Sequence, residues 1–180
     1  MQTTDLALDS LGRVHELIPA VIDGLCPADL TWRPDPHANP IGWLLWHLLR
    51  VEDDHLAHLG GIPQVWLTEG WCERFALPYP GTAHGFGMSW DEVSLFTVTD
   101  TTLLTGYAEA VSAQSSKILA ALTEADFDRV VDTRFDPPVT LGVRLVSVIV
   151  ETAQHIGQAS YVRGLLERSQ SRASRWSGIV

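Results

Sequence analysis

Apolar residues recur at helical spacing in four long stretches of this chain, and this pattern constrains the fold more than any other feature. The first stretch shows it most clearly, with intervals of three or four residues between Leu11, Val14, Ile18, Val21 and Leu25. Such spacing places the side chains on one face of a helix. Together with capping and breaking residues, it predicts helices from about Asp5 to Asp23, Pro40 to Leu59, Asp100 to Leu122 and Thr140 to Arg168. No convincing strand pattern accompanies them, so we predict an all-α four-helix bundle.

The connection between the second and third predicted helices is unusually long, from Gly60 to Thr99, and rich in aromatic residues, glycine and proline. Long connections are uncommon in compact domains and are usually functional or disordered. The aromatic content favours a packed segment, so we expect short helical turns around Val65–Leu77 and Ser89–Leu95. We also expect the connection to cross the bundle end, so that helices two and three run parallel. Helix two itself should begin at Asn39 and Pro40, because asparagine suits the N-cap and proline suits the first helical position.

Length and composition suit one globular domain over residues 1–180, with a frayed polar tail over 169–180. The formal net charge is −10, and Lys117 is the only lysine. A chain this acidic repels phosphate groups, so we expect neither nucleic acid nor a membrane as partner. We find no signal-peptide pattern, no apolar run of bilayer length and only two, widely separated cysteines. These features favour a cytoplasmic protein.

Three ionisable residues, His47, Glu151 and His155, lie in helical segments that are otherwise apolar. A lone carboxylate is costly to bury, and a shared metal ion would remove that cost. Glu151 and His155 are four residues apart, so both project from one helix face. With His47 from a facing helix they would give three ligands and one open position, as in catalytic zinc sites. The spacing therefore predicts a metal site, provided that helices two and four face each other.

Spacing alone leaves simpler roles open. A buried histidine is more often a hydrogen-bonded core residue than a ligand, and Glu151 with His155 could be an ordinary surface pair. His55 and His58 adjoin the acidic run 52–54, which favours a solvated helix end. Asp54 could nevertheless line a pocket beside the metal.

Other polar residues are candidates for substrate binding. Arg144 could hold a substrate carboxylate by two hydrogen bonds, or it could form a salt bridge to Asp132 or Asp136. We also name Trp43 and Gln158 as substrate-binding candidates. Beyond the three metal ligands we assign no catalytic residue.

Four segments carry recognisable motifs. They are Asn39-Pro-Ile-Gly-Trp-Leu-Leu-Trp-His47, Gly70-Trp-Cys-Glu-Arg-Phe75, Val131-Asp-Thr-Arg-Phe-Asp-Pro-Pro138 and Glu151-Thr-Ala-Gln-His-Ile-Gly-Gln158. Together they resemble the DinB-like superfamily over roughly Leu6 to Leu166. Within it they look most like the mycothiol-dependent branch, the mycothiol S-transferases and the maleylpyruvate isomerase.

The resemblance implies a four-helix bundle with a metal, commonly zinc, held by His47, Glu151 and His155. Many superfamily members carry histidine where this chain has Glu151, and two histidines with one glutamate favour the isomerase-like branch. The implied activity is thiol transfer, in which the metal-bound thiolate of mycothiol, or of a similar low-molecular-weight thiol, attacks a small electrophile. A metal-dependent hydrolase or isomerase, and a non-enzymatic bundle that binds a small ligand, are the alternatives. The sequence is compatible with a monomer or a homodimer.

Overall fold

The computed structural model describes residues 2–173, and four long helices form its framework. In chain order the α-helices are α1 (Thr3–Ile22), α2 (Ile41–Gly60), α3 (Val65–Thr68), α4 (Trp71–Phe75), α5 (Trp90–Ser94), α6 (Thr101–Ala121) and α7 (Leu141–Ser169). Two 3₁₀ turns lie at Pro27–Thr31 and Glu124–Asp128, and β1 (Val130–Asp132) pairs antiparallel with β2 (Val139–Thr140). The predicted all-α bundle is confirmed, with this two-stranded ribbon as a small addition.

The helices pack in the cyclic order α1, α6, α2, α7. Arg50 near the middle of α2 bonds to Tyr107 in the first half of α6, and Gly60 at the end of α2 lies against Ile118 near the end of α6. Positions along the two helices therefore increase together, and the predicted parallel arrangement is confirmed. In contrast, α7 runs antiparallel to α2, because Leu59 packs in the same cluster as Leu141 whereas His47 reaches Glu151.

Residues 61–100 return the chain from the end of α2 to the start of α6, and this connection is packed and partly helical. It contains α3, α4 and α5, which confirms the expected short helical turns. Trp66 and Phe75 pack their rings against Tyr107 of α6 at 5.2 and 5.8 Å between centroids. Aromatic burial therefore holds this segment to the bundle.

A polar layer separates two apolar clusters in the bundle core. One cluster takes the apolar residues between Ile41 and Leu49 of α2 together with Ile156 and later apolar residues of α7, whereas the other takes Leu56 and Leu59 with Leu141, Leu145 and Val148. Between them lie residues 50–55 of α2 and 151–155 of α7. Arg50, Glu52 and Asp53 of this layer are all buried.

Three details differ from the sequence predictions. Helix α2 begins at Ile41 with Pro40 at the N-cap, one residue later than expected, because the Leu44 amide already bonds to the Pro40 carbonyl. The solvated helix end predicted for His55 and His58 holds for the exposed His58, but the neighbouring acidic run is not solvated, since Glu52 is fully buried and Asp53 only 2% exposed. The predicted frayed tail is held at its start, where Arg172 bonds to Asp29 at 2.6 Å. Its remainder, 174–180, lies outside the described residues.

Across residues 2–173, no helix combines the length and apolar character that crossing a bilayer requires.

Candidate metal centre

The three side chains singled out in the sequence converge between α2 and α7. Nε2 of His47 lies 3.3 Å from Oε1 of Glu151, and Nε2 of His155 lies 3.1 Å from the same oxygen. One possible ligand atom from each residue falls within 4.8 Å of the other two. Ligands of a tetrahedral zinc ion with bonds of about 2.1 Å are separated by about 3.4 Å. The arrangement is therefore a potential metal-binding triad.

Hydrogen bonds on the far side of each imidazole orient the histidines as ligands. Nδ1 of His47 donates to the backbone carbonyl of His84, and Nδ1 of His155 lies 2.7 Å from Oε1 of Gln158. A carbonyl oxygen only accepts, so each Nδ1 carries a proton, and Nε2 is the nitrogen that each ring would offer to a metal ion on the side of Glu151. Lone pairs of two nitrogens and a carboxylate then meet at one point, which favours a cation there. The donor set fits a divalent ion.

The three side chains differ in exposure. The side chain of His47 is 4% exposed and that of His155 is 14% exposed, whereas that of Glu151 is 35% exposed. Burial is the main reason that the pKa of His47 is lowered from 6.5, because it disfavours the charged imidazolium. A neutral His47 is the form that binds metal ions. Access to the centre is from the Glu151 side.

A loop of residues 81–87, here called the covering loop, closes over His47. Three of its carbonyls accept side-chain hydrogen bonds. Ala83 accepts from Arg50 of α2 at 3.1 Å and His84 from His47 of α2, while Gly81 accepts from Trp66 of α3 at 2.9 Å. Within this loop Gly85 has φ +95°, and a Cβ there would lie 2.6 Å from Nδ1 of His47. Only glycine fits this position without displacement.

Trp43, predicted to bind substrate, lies beneath the imidazole of His47. Its indole stacks on the imidazole of His47 with centroids 4.7 Å apart and is 4% exposed. Because the two residues are one helical turn apart, the indole limits rotation of the His47 ring. Trp43 therefore packs against His47 and lines neither of the two pockets described below.

The other three predicted residues have separate roles. Gln158 contacts His155, as described, and also lines a pocket. Arg144 forms a salt bridge to Asp132 at 2.9 Å, which was the alternative to a substrate contact. It also lines a pocket. Asp54 accepts a hydrogen bond from Gln64 at 2.6 Å and lies 3.8 Å from His55, and among residues 2–173 it has no hydrogen bond or ion pair with the triad.

The sequence pattern did not predict a buried hydrogen-bond network around Asp53. Its carboxylate accepts hydrogen bonds from the Val65 and Trp66 amides and from the Tyr107 hydroxyl, and lies 3.6 Å from Arg50. Burial nevertheless raises the pKa of Asp53, because removal from water disfavours the charge. Since Arg50 also holds the covering loop, this network connects α2, α3 and α6 to the cover of His47. Its sequence signal was the run of charges inside an apolar helix.

Two pockets lie on α7, one on each side of the triad. The first, here called the arginine pocket, has a volume of about 550 Å³ and is lined in part by His55, Phe86, Arg134, Phe135, Arg144 and Glu151. The second, here called the amide pocket, has a volume of about 520 Å³ and is lined in part by His37, Asn39, Trp90, Gln154, Gln158 and Tyr161. The triad therefore lies between two cavities of small-molecule size.

Comparisons with known proteins agree with this architecture. A family model described as the DinB superfamily matches residues 10–159. A solved structure described as the conserved protein of a locus from Enterococcus faecalis is similar to this chain, with a TM-score of 0.86 and 32% sequence identity. The alignment covers 92% of this chain and 97% of that one. A search of curated proteins finds no match.

Proposed function

This chain belongs to the DinB superfamily, and from that premise we propose that it is a metal-dependent thiol S-transferase. The proposed ion is zinc, and the proposed co-substrate is mycothiol or a similar low-molecular-weight thiol. One observation carries the proposal: His47, Glu151 and His155 converge at a point between two pockets. Three ligands and two cavities suit an ion with an open position and a reaction with two substrates.

A divalent ion held by these residues would lower the pKa of a thiol in its open position, so that the nucleophilic thiolate is present at neutral pH. The protein's own part is to fix the ligands. The His84 carbonyl and the Gln158 amide keep both Nδ1 atoms protonated, which leaves both Nε2 atoms free. Fixed ligand orientation raises metal affinity and limits the positions that a bound thiol can take.

The two pockets supply a place for each reactant. Glu151 lines the arginine pocket directly, while the amide pocket meets the triad through Gln158. Neutral hydrogen-bonding groups and aromatic rings dominate the amide pocket, which suits an uncharged polar body such as that of a hydroxyl-rich thiol. The electrophile would then occupy the arginine pocket, with its reacting atom near the metal centre.

A thiol conjugation assay tests the proposal. Zinc-loaded protein is mixed with a generic alkylating electrophile and with mycothiol, glutathione or cysteine, and the thioether is quantified by mass spectrometry. We expect conjugation above the spontaneous rate with at least one thiol, and a loss of about 100-fold in Glu151→Gln, which removes a ligand charge. If the protein instead turned over an ester or amide without any thiol, the proposed activity would be hydrolysis and not thiol transfer. No acceleration with any thiol would contradict the proposal.

A further inference from the structure

The arginine pocket carries a local positive charge in an acidic protein. Arg134 and Arg144 both bond to Oδ2 of Asp132, at 2.8 and 2.9 Å. Two guanidinium groups share one carboxylate, so the cluster keeps a charge of +1. Asp132 remains ionised because the hydrogen bond from Arg134 holds the pKa of that carboxyl well below its ordinary value. The excess charge is therefore permanent at neutral pH.

Arg144 retains hydrogen-bonding capacity towards the cavity. Its contact with Asp132 uses Nη2, and among residues 2–173 its Nε and Nη1 have no partner. The side chain is 19% exposed, so the guanidinium is held between protein and pocket. The pKa of His55, across the same pocket, is lowered first by burial and then by the charge of Arg144. The positive charge thus acts inside the cavity.

Two exposed aromatic rings border the same cavity. Phe86 is 82% exposed and Phe135 is 56% exposed. Large exposed rings that line a pocket offer apolar surface to a ligand. Phe86 belongs to the covering loop and Phe135 follows Arg134 in the chain, so the cavity is lined by both apolar and cationic groups.

A negative charge in the arginine pocket opposes the binding of an anion. The Glu151 carboxylate also lines the pocket, and alone it would repel an anion. A divalent cation held by Glu151 and the two neutral histidines would leave a charge of +1 at the triad, so the whole wall would then attract anions. The amide pocket, in contrast, has no aspartate, glutamate, lysine or arginine among its described lining residues.

We propose that the arginine pocket binds small organic anions that have a flat apolar body, with a carboxylate on Arg144 and the body against Phe86 and Phe135. As a statement about the electrophile, this rests on the proposed thiol transfer. As a statement about binding, it is independent of that reaction. The substrate class that it names is a conjugated or aromatic carboxylate with an electrophilic carbon directed towards the triad.

Calorimetric titration without any thiol tests the binding. Benzoate is the probe, benzamide is the uncharged analogue, and the protein is the zinc-loaded full chain. We expect benzoate to bind about 10- to 100-fold more tightly than benzamide, because a charge-assisted pair stabilises only the anion. Arg144→Gln should weaken benzoate by at least about tenfold and leave benzamide unchanged. Arg168→Gln removes the same charge from an exposed site on α7 and should change neither.

Three results would overturn the proposal. They are no benzoate binding at millimolar concentration, equal affinity for benzoate and benzamide, and benzoate binding that Arg144→Gln does not alter. In the last case, loss of binding on zinc removal would show that benzoate contacts the ion alone. If Arg144→Gln unfolds, Arg134→Gln gives a second test at a side chain that is 83% exposed. None of these outcomes depends on thiol transfer, so the two proposals can fail separately.

Discussion

The backbone carbonyl of His84 accepts a hydrogen bond from Nδ1 of His47, although the two residues are 37 positions apart in the chain. This bond fixes which nitrogen of His47 faces Glu151. It also makes the covering loop part of the candidate metal centre. Changes in the loop should therefore alter metal affinity even though no loop residue belongs to the triad.

Replacing Gly85 by alanine tests the fit of the covering loop. The new Cβ would lie 2.6 Å from Nδ1 of His47, so the loop or the imidazole must move. We expect zinc affinity to fall about tenfold or more, in the range seen when a group that orients a ligand is lost. Competition with a coloured chelator measures it. Gly87→Ala is the control, since Gly87 has φ +75° but no atom within 4 Å of its Cβ position. Equal affinity losses in both variants would show that backbone strain alone is responsible.

The Gln158 amide should matter for the second histidine. Gln158→Leu removes the acceptor at 2.7 Å from Nδ1 of His155. We expect zinc affinity to fall about 10- to 100-fold, because the ring loses the bond that sets its orientation. Gln154→Leu is the matched control, an exposed glutamine of the same pocket without a hydrogen bond to the triad. Unchanged zinc affinity in Gln158→Leu would show that this amide does not help to hold the metal.

Asp53 should dominate the stability of the polar layer. Asp53→Ala leaves the fully buried Arg50 without its carboxylate and frees the Val65 and Trp66 amides. Removing one partner of a buried ion pair costs about 3–5 kcal/mol, and we expect a loss of that size in the free energy of unfolding. Urea denaturation measures it. Glu109→Ala, on the exposed side of α6, should change the value by less than about 0.5 kcal/mol. A loss below about 1 kcal/mol in Asp53→Ala would contradict a structural role.

The protonation of His55 reports on the charge of Arg144. Burial first, and Arg144 second, lower its pKa below 6.5, while Asp54 raises it and His84 and His58 lower it further. Because the folded-state pKa is the lower one, His55 contributes stability above about pH 6.5 that is lost as pH falls through the folded pKa. In Arg144→Gln we expect the pKa to rise towards 6.5, measured by NMR titration of the imidazole. Arg168→Gln should leave it unchanged, and an unchanged pKa in Arg144→Gln would show that the charge of Arg144 does not act on His55.

Periodicity predicted the four helices and their ends to within two residues, because each buries one regular apolar stripe. The pair Glu151 and His155 was also visible, since four-residue spacing fixes their common face. The convergence of His47 with them was less certain, since it requires a particular packing of α2 on α7. The resemblance to a known superfamily supplied that information.

Two features of the site depend on contacts that sequence spacing does not encode. Glu52 and Asp53 resemble a solvated helix end, yet each has partners from other helices, such as Ser115 on Glu52 at 2.7 Å and Tyr107 on Asp53 at 2.9 Å. The covering loop is held through backbone carbonyls, which leave no pattern in the residue types. In both cases the partner lies far along the chain.

The most direct test of the metal centre is the zinc content of the purified chain, measured by mass spectrometry of the metal after growth with zinc. We expect about one ion per chain in the wild type, and little in His47→Ala or Glu151→Gln, because two ligands rarely hold zinc in water. The Glu109→Gln variant should retain the wild-type content. Zinc that is absent from the wild type, or equally present in the His47 and Glu151 variants, would contradict the account.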